Sequence, residues 1–283
     1  MWHTLLHCSF IIIGGFNMDR RDRLSPSQYH LFQKILRTSK ERANAVVKNA
    51  SLSSEQVTSL EQAKQDLKNS RIVVNLNLHE RIFGAPMIDS LLASKRLYNL
   101  FEIAHAGEES HPSDLRMRIM LEFKLFGASL DVQTVLAGMS NTEHPNYGML
   151  DYLNNPIGLS LLGFYGWYRF VLKEKVRIRS TFTPPDSFQA TPSQVFAWKD
   201  IDGVLAANVS ETDSRWFEYV LKEILPMDNH GNTSYMEVQI LGGVFLENDV
   251  DMLYYPETDQ FNKPFFNKLK RLEKDFGIEL VPY

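Results

Sequence analysis

Apolar and polar positions alternate with two different periods along this chain, and the period changes near residue 70. From Ser25 onward Leu31, Ile35 and Leu36 share one side of a helical turn, with Arg37, Lys40, Glu41 and Arg42 around the other. Ser25-Pro26-Ser27-Gln28 reads as the start of that helix, with Ser at the cap, Pro at the first helical position and Gln at the third. A second box, Ser53-Ser54-Glu55-Gln56, opens a helix to about Leu67. Residues 1–70 are therefore expected to be a helical N-terminal segment.

Beyond Ser70 the pattern shortens. Ile72, Val73, Val74, Leu76 and Leu78 predict a strand, ended by His79-Glu80-Arg81. Pro86 to Leu97 reads as a helix, Gly107 to Pro112 as a loop, and Ser113 as the cap of a helix that runs to Phe126 and stops at Gly127. Tyr147 to Leu150 is a short strand. Phe164–Leu172 and Val176–Thr183 read as two longer strands joined by a charged turn at Lys173-Glu174-Lys175. After the break at Pro184-Pro185-Asp186 come a helix (Thr212–Leu225) and a strand (Tyr235–Leu241) that ends at Gly242-Gly243. A strand at Val250–Tyr254, a basic amphipathic helix at Phe265–Phe276 and a strand at Ile278–Val281 close the chain. Helices first and strands later predict an α+β fold, with residues 71–283 as its main domain.

Composition narrows the function classes. The 283 residues are 44% hydrophobic and 23% charged, an ordinary globular balance. Thirty Lys and Arg against 34 Asp and Glu give a net charge of −4, which supplies no basic field and argues against a nucleic-acid partner. The single cysteine, Cys8, excludes an internal disulfide framework and a cysteine-ligated structural zinc. The apolar run Leu5–Phe16 is shorter than the roughly 20 residues that span a bilayer. Arg20, Arg21 and Arg23 follow that run instead of preceding it, unlike a secretory signal. Residues 1–17 are either an overextended start ahead of Met18 or a buried N-terminal strand. No membrane span is expected.

The common phosphate-loop, dinucleotide and zinc-helix motifs are absent, as is the nucleophile elbow. His79 and Glu80 would point to opposite faces of a strand, and Asn77 shares the face of His79, so no metal site is expected. Two strands carry chemistry instead. In one, alternation sets Ile178, Ser180 and Phe182 on one face and Arg179, Thr181 and Thr183 on the other. The other places Glu237 in an otherwise apolar run, Ser234–Ile240. A buried carboxylate costs several kcal/mol unless paired or used, so Glu237 is either a functional group or lies on a solvated face.

A series of short segments resembles an uncharacterised bacterial family over residues 70–256. The segments are Asn77-Leu78-His79-Glu80-Arg81, a Phe101-Glu102 loop, Leu125-Phe126-Gly127-Ala128, Tyr147-Gly148-Met149-Leu150, Arg179-Ser180-Thr181-Phe182-Thr183 and Glu237-Val238-Gln239. Their order is also similar to that of the ADP-ribosyltransferases, which implies a mixed β-sheet core of that type. Carried over, the resemblance assigns His79 or Arg81 to the NAD-anchoring first motif, Ser180 and Thr181 to the hydroxyl strand, and Glu237 to catalysis. Thr183 stands one place beyond the family's last serine. Tyr235 stands where arginine-modifying members carry a second Glu, which leaves the acceptor residue type open.

The resemblance implies an NAD-dependent mono-ADP-ribosyltransferase acting on a host or cellular protein, as a secreted effector or in the cytoplasm, with NAD as co-substrate and no metal. The charge that builds on ribose as nicotinamide leaves would suit Glu237. Arg81 would pair with pyrophosphate, and Tyr147 or Phe101 would stack on the nicotinamide ring. The alternatives are an NAD glycohydrolase, with water as acceptor, and a degenerate non-catalytic interaction module of the same fold. The loops Pro184–Ser193 and Met227–Ser234 are candidate docking surfaces for the acceptor protein.

Overall fold

The first capping box forms as its residues dictate: Ser25 Oγ accepts from the Gln28 amide at 3.2 Å, and Gln28 Oε1 accepts from the Ser25 amide at 3.0 Å. It opens helix α1 (Pro26–Asn49), which buries Leu31, Phe32, Ile35 and Ala43. The computed structural model describes residues 23–50, 52–106, 112–127, 129–151, 165–184, 190–211 and 236–283. The apolar N-terminal run, the loop 107–111, Ala128, residues 185–189 of the loop after β7, the expected helix 212–225 and the loop 227–234 lie outside the described residues.

Helix α2 (Ser54–Leu67) follows, and strand β1 (Arg71–Leu76) begins the sheet. A small hairpin, β2 (Arg81–Ile82) and β3 (Ala85–Pro86), leads into α3 (Met87–Ser94) and β4 (Arg96–Leu97). Next come α4 (Leu100–Ala106), α5 (Pro112–Phe126) and α6 (Leu130–Ala137). The remaining strands are β5 (Asn146–Asp151), β6 (Tyr168–Leu172), β7 (Ser180–Thr183), β8 (Phe196–Ala197), β9 (Glu237–Ile240), β10 (Val244–Phe245), β11 (Val250–Tyr255) and β12 (Glu279–Pro282). Helix α7 (Asp202–Glu211) precedes β9, and α8 (Lys263–Phe276) precedes β12.

Eight of these strands form one mixed sheet in the order β12-β11-β6-β1-β5-β9-β7-β8, with β11–β12 its one parallel pair. Register divides its side chains between two faces. One face carries Ile72, Val74, Phe170, Phe182, Val238 and Ile240 into a core shared with Ile88 and Leu91 of α3 and with Leu269 and Leu272 of α8. Leu60 and Leu67 of α2 and Ala43 of α1 belong to the same core, so the N-terminal helices are built into the packing of the sheet. Each fully buried side chain of this size is worth about 1.5–3 kcal/mol. A further bond ties α1 down, from the Ala197 amide to Ser39 Oγ at 2.9 Å.

The other face is mixed. Val73, Met149 and Val171 form a small apolar patch there. Thr181, Thr183, Glu237 and Gln239 continue it across β7 and β9 as buried polar groups.

The mixed α+β class matches expectation, but several boundaries move. The expected strand Val176–Thr183 is a 3-10 helix over Glu174–Arg179 followed by a short strand from Ser180. Arg177 donates to the Lys68 carbonyl at 2.6 Å and Ser180 Oγ to the Val176 carbonyl at 2.9 Å, bonds that hold this tighter turn. The expected helix Pro86–Leu97 stops at Ser94, because Lys95 takes a left-handed conformation (φ 59°) and Arg96–Leu97 pair with β10. Strand β1 ends at Leu76, two residues early, and β6 begins only at Tyr168, after a turn at Gly166. Gly166 has φ 122°, and a Cβ there would stand 2.0 Å from the carbonyl carbon of Leu76, so only glycine fits. Phe101-Glu102 is the first turn of α4, not a loop. Asn99 caps it: its Oδ1 accepts from the Glu102 amide at 3.0 Å, and Glu102 Oε2 accepts from the Asn99 amide at 3.2 Å.

Candidate functional site

The sheet opens between β1 and β5. Their pairing runs from Arg71↔Asp151 to Val73↔Met149. Beyond that point Val74–Leu76 pair with β6, and Asn146–Gly148 pair with β9. Gly148 stands at the junction: a Cβ there would lie 2.6 Å from the Val73 carbonyl oxygen, so its bare Cα lets the strands close up before they part. A pocket of about 650 Å³, counting the space open to solvent, occupies the opening. Backbone and side chains of Val73–Leu76 and Asn146–Met149 line it, with Tyr98, Leu100, Ile103, Tyr165, Arg118 and Glu237.

Glu237 is buried, 6% exposed, and held from its own strand. Gln239 Nε2 donates to Glu237 Oε1 at 2.9 Å and to Thr183 Oγ1 at 3.3 Å, while Gln239 Oε1 accepts from Thr181 Oγ1 at 2.8 Å. Register explains the grouping, since Thr181 lies opposite Gln239 and Thr183 opposite Glu237 on β7 and β9. Tyr147 of β5 lies opposite Gln239 from the other side, which brings it to the same face.

Behind Tyr147 stands a second polar group. Tyr147 donates its hydroxyl to Glu122 Oε1 at 3.1 Å, and His144 Nδ1 lies 2.7 Å from Glu122 Oε2. Facing a carboxylate, that ring nitrogen is the donor. His144 is fixed from two more sides, because its ring stacks on Phe101 at 3.6 Å and its carbonyl accepts from Asn99 Nδ2 at 3.0 Å. Burial pushes the Tyr147 hydroxyl well above the usual tyrosine value, and the negative charges of Glu122 and Glu237 push it further, against the opposing charge of Arg118. The phenol stays protonated and acts as a donor.

Of the residues singled out from sequence, Glu237, Thr181, Thr183 and Tyr147 come together here. Three do not. Ser180 pairs with Ile240 and so faces the opposite side of the sheet from Glu237, giving its hydroxyl to Val176. His79 sits in the turn after β1, stacked on Phe265 of α8 at 4.1 Å, with Nε2 2.7 Å from the Tyr168 hydroxyl. Tyr168 belongs to the opposite, apolar face, so His79 is on the α8 side of the sheet. Arg81 is exposed and donates to the Gly84 carbonyl within its own hairpin. Phe101 is spent on His144.

Arg118, Glu122 and His144 had no role in the sequence reading. One signal was present: Glu122 follows Arg118 by four residues and falls on the helical stripe of Leu125 and Phe126, a carboxylate where an apolar residue is expected. Among the described residues no three His, Cys, Asp or Glu gather as metal ligands, and no described helix is long and apolar enough to cross a membrane. Comparison of the sequence with protein-family models and with curated proteins finds no match.

Proposed function

We propose that the protein is an NAD-dependent ADP-ribosyltransferase that moves ADP-ribose onto a protein acceptor, with Glu237 beside the reacting sugar. The observation that carries this reading is a buried carboxylate in the wall of an open, largely apolar pocket, fixed by Gln239 and the two threonines behind it. When the bond between nicotinamide nitrogen and ribose breaks, the bonding electrons leave with nicotinamide and the ribose carbon becomes cationic. A carboxylate already held in place stabilises that charge without reorganising. Tyr147 supplies an aromatic wall and a protonated hydroxyl at the same end of the pocket. The acceptor side chain then forms its bond to the ribose carbon and passes its proton to the Glu237 carboxylate, from which it leaves to solvent.

In this reading His79, Arg81 and Ser180 have no contact with NAD, and Thr181 and Thr183 act through Gln239. The test is incubation of the purified chain with labelled NAD and a host-cell lysate. Label on protein, lost in Glu237→Gln, supports transfer. Free ADP-ribose with no labelled protein indicates the glycohydrolase instead. No consumption of NAD overturns the reading.

A further inference from the structure

Arginines that leave the surface of this protein find a partner almost everywhere. Arg169 meets Asp151 at 2.9 Å, Arg179 meets Asp249 at 3.0 Å, and Arg96 grips Glu102 with both arms of its fork. Arg118 is the exception among the described residues. It is half-buried on α5 and lines the pocket, yet no hydrogen bond or ion pair reaches its guanidinium from any described residue. Its natural partner one turn on, Glu122, is committed at both oxygens, to Tyr147 and to His144. A guanidinium that lines a pocket with no carboxylate of its own offers its fork of donors to an anion that enters.

The rest of the wall says what accompanies that anion. Tyr98, Tyr165 and Tyr147, with Leu100 and Ile103, make the pocket broadly apolar and aromatic, suited to a planar ring. Glu237 lines the same space, and the Tyr147 hydroxyl feels the charges of both Arg118 and Glu237. A ligand that satisfies all three features has a phosphate, a ring and a neutral or incipiently cationic group between or beside them.

We infer that Arg118 is the phosphate anchor of this pocket and that the ligand class is a nucleoside phosphate, held by the Arg118 fork at its phosphate and by the tyrosines at its ring. The assignment shares its pocket with the Glu237 reading and takes the nucleoside part from it, whereas the phosphate contact is measurable with no turnover at all. It displaces Arg81 from that role.

The experiment is calorimetric titration of the full chain with ADP, ADP-ribose and adenosine, using wild type, Arg118→Gln, Arg118→Lys, Arg81→Gln and Glu237→Gln. ADP and ADP-ribose should bind the wild type more tightly than adenosine does. Arg118→Gln should weaken ADP at least tenfold and leave adenosine unchanged, Arg118→Lys should fall between, and Arg81→Gln should match the wild type. Added salt should weaken ADP and spare adenosine, a check that needs no variant to fold. The inference is overturned if Arg118→Gln binds ADP as tightly as the wild type, if it loses ADP and adenosine equally, or if the wild type shows no preference for the phosphate. Glu237→Gln separates the two ideas. Full turnover in that variant sinks the reaction while the phosphate site stands, and lost turnover with undiminished ADP affinity in Arg118→Gln does the reverse.

Discussion

Gln239 donates to the buried Glu237 carboxylate from the same strand, and Gln239→Met tests how far the geometry of Glu237 depends on it. Methionine keeps the length and volume of glutamine, so no cavity opens and packing changes little. Three polar contacts disappear: to Glu237 at 2.9 Å, from Thr181 at 2.8 Å and to Thr183 at 3.3 Å. A bond to a charged acceptor is worth about 1.5–3 kcal/mol and a neutral one about 1 kcal/mol, with the longest contact adding little. Gln239 and both threonines are fully buried, so water cannot take the lost partner's place without entering the sheet. The expected destabilisation is about 3 kcal/mol, read as a lower guanidinium midpoint at unchanged slope. Thr181→Val in the Gln239→Met background should cost little more, because the Thr181 hydroxyl has already lost its acceptor, whereas Thr181→Val alone should cost about 1 kcal/mol. A loss below about 0.5 kcal/mol in Gln239→Met would show that the ladder contributes nothing to the sheet, and the preorganisation argued for Glu237 would fall with it.

Other consequences follow from the same geometry. Glu237→Gln should retain ligand affinity and lose about a hundredfold or more in turnover, the usual cost of removing one electrostatic stabiliser; single-turnover kinetics show whether the loss sits in the chemical step. Asp249 is fully buried against Arg179 and Arg23, so Asp249→Asn should destabilise by about 3–5 kcal/mol and a fall in Tm of only a degree or two would contradict the ion cluster. Burial raises the hydroxyls of both Tyr147 and Tyr168 above the ordinary value of 10.0, with the Glu122 and Glu237 charges added at the first and a hydrogen bond to Asp259 at the second. The unfolded chain therefore loses those protons first as pH rises, and stability present below pH 10 should decline above it by about 1.4 kcal/mol per pH unit for each tyrosine. Denaturant midpoints at pH 8, 10 and 11 read that decline, and Tyr168→Phe should make it shallower.

The fold was legible where a signal was local. Ser25 and Gln28 sit in adjacent turns and bond each other, so the start of α1 needs no distant partner. Gly127 ends α5 and Gly277 ends α8 for the same local reason, a positive φ that other residues resist. Val176–Arg179 misled because their alternation of apolar and basic residues suits a strand. What decides the segment lies far away in sequence: the Lys68 carbonyl that receives Arg177, and Asp249, Leu241 and Gly243, which take up Arg179. Short helices such as α4, α6 and α7 went unseen since their faces are set by what packs on them, not by their own period.

The site divides along the same line. Glu237, Thr181 and Thr183 were readable because a period of two, applied to two strands, already groups them by face, and pairing those strands brings the faces into register. Ser180 failed by the same rule once its partner was known: opposite Ile240, it must point into the apolar core. Arg118, Glu122 and His144 come from a helix and a turn whose approach to β5 no periodicity encodes. A carboxylate on a buried helical stripe was the only trace they left. Such a residue is tolerable only where something donates to it, and here a histidine and a tyrosine, both contributed by the segment around β5, do so. Their doing so is what leaves Arg118 without its helical neighbour. That no described carboxylate pairs with the Arg118 cation in the pocket is thus a consequence of satisfying a buried carboxylate behind it, and mutating His144 to phenylalanine should release Glu122 to turn toward Arg118. That rearrangement predicts a weaker grip on ADP in His144→Phe although the histidine touches no ligand. Unchanged ADP affinity in a folded His144→Phe would show that Glu122 and Arg118 are independent.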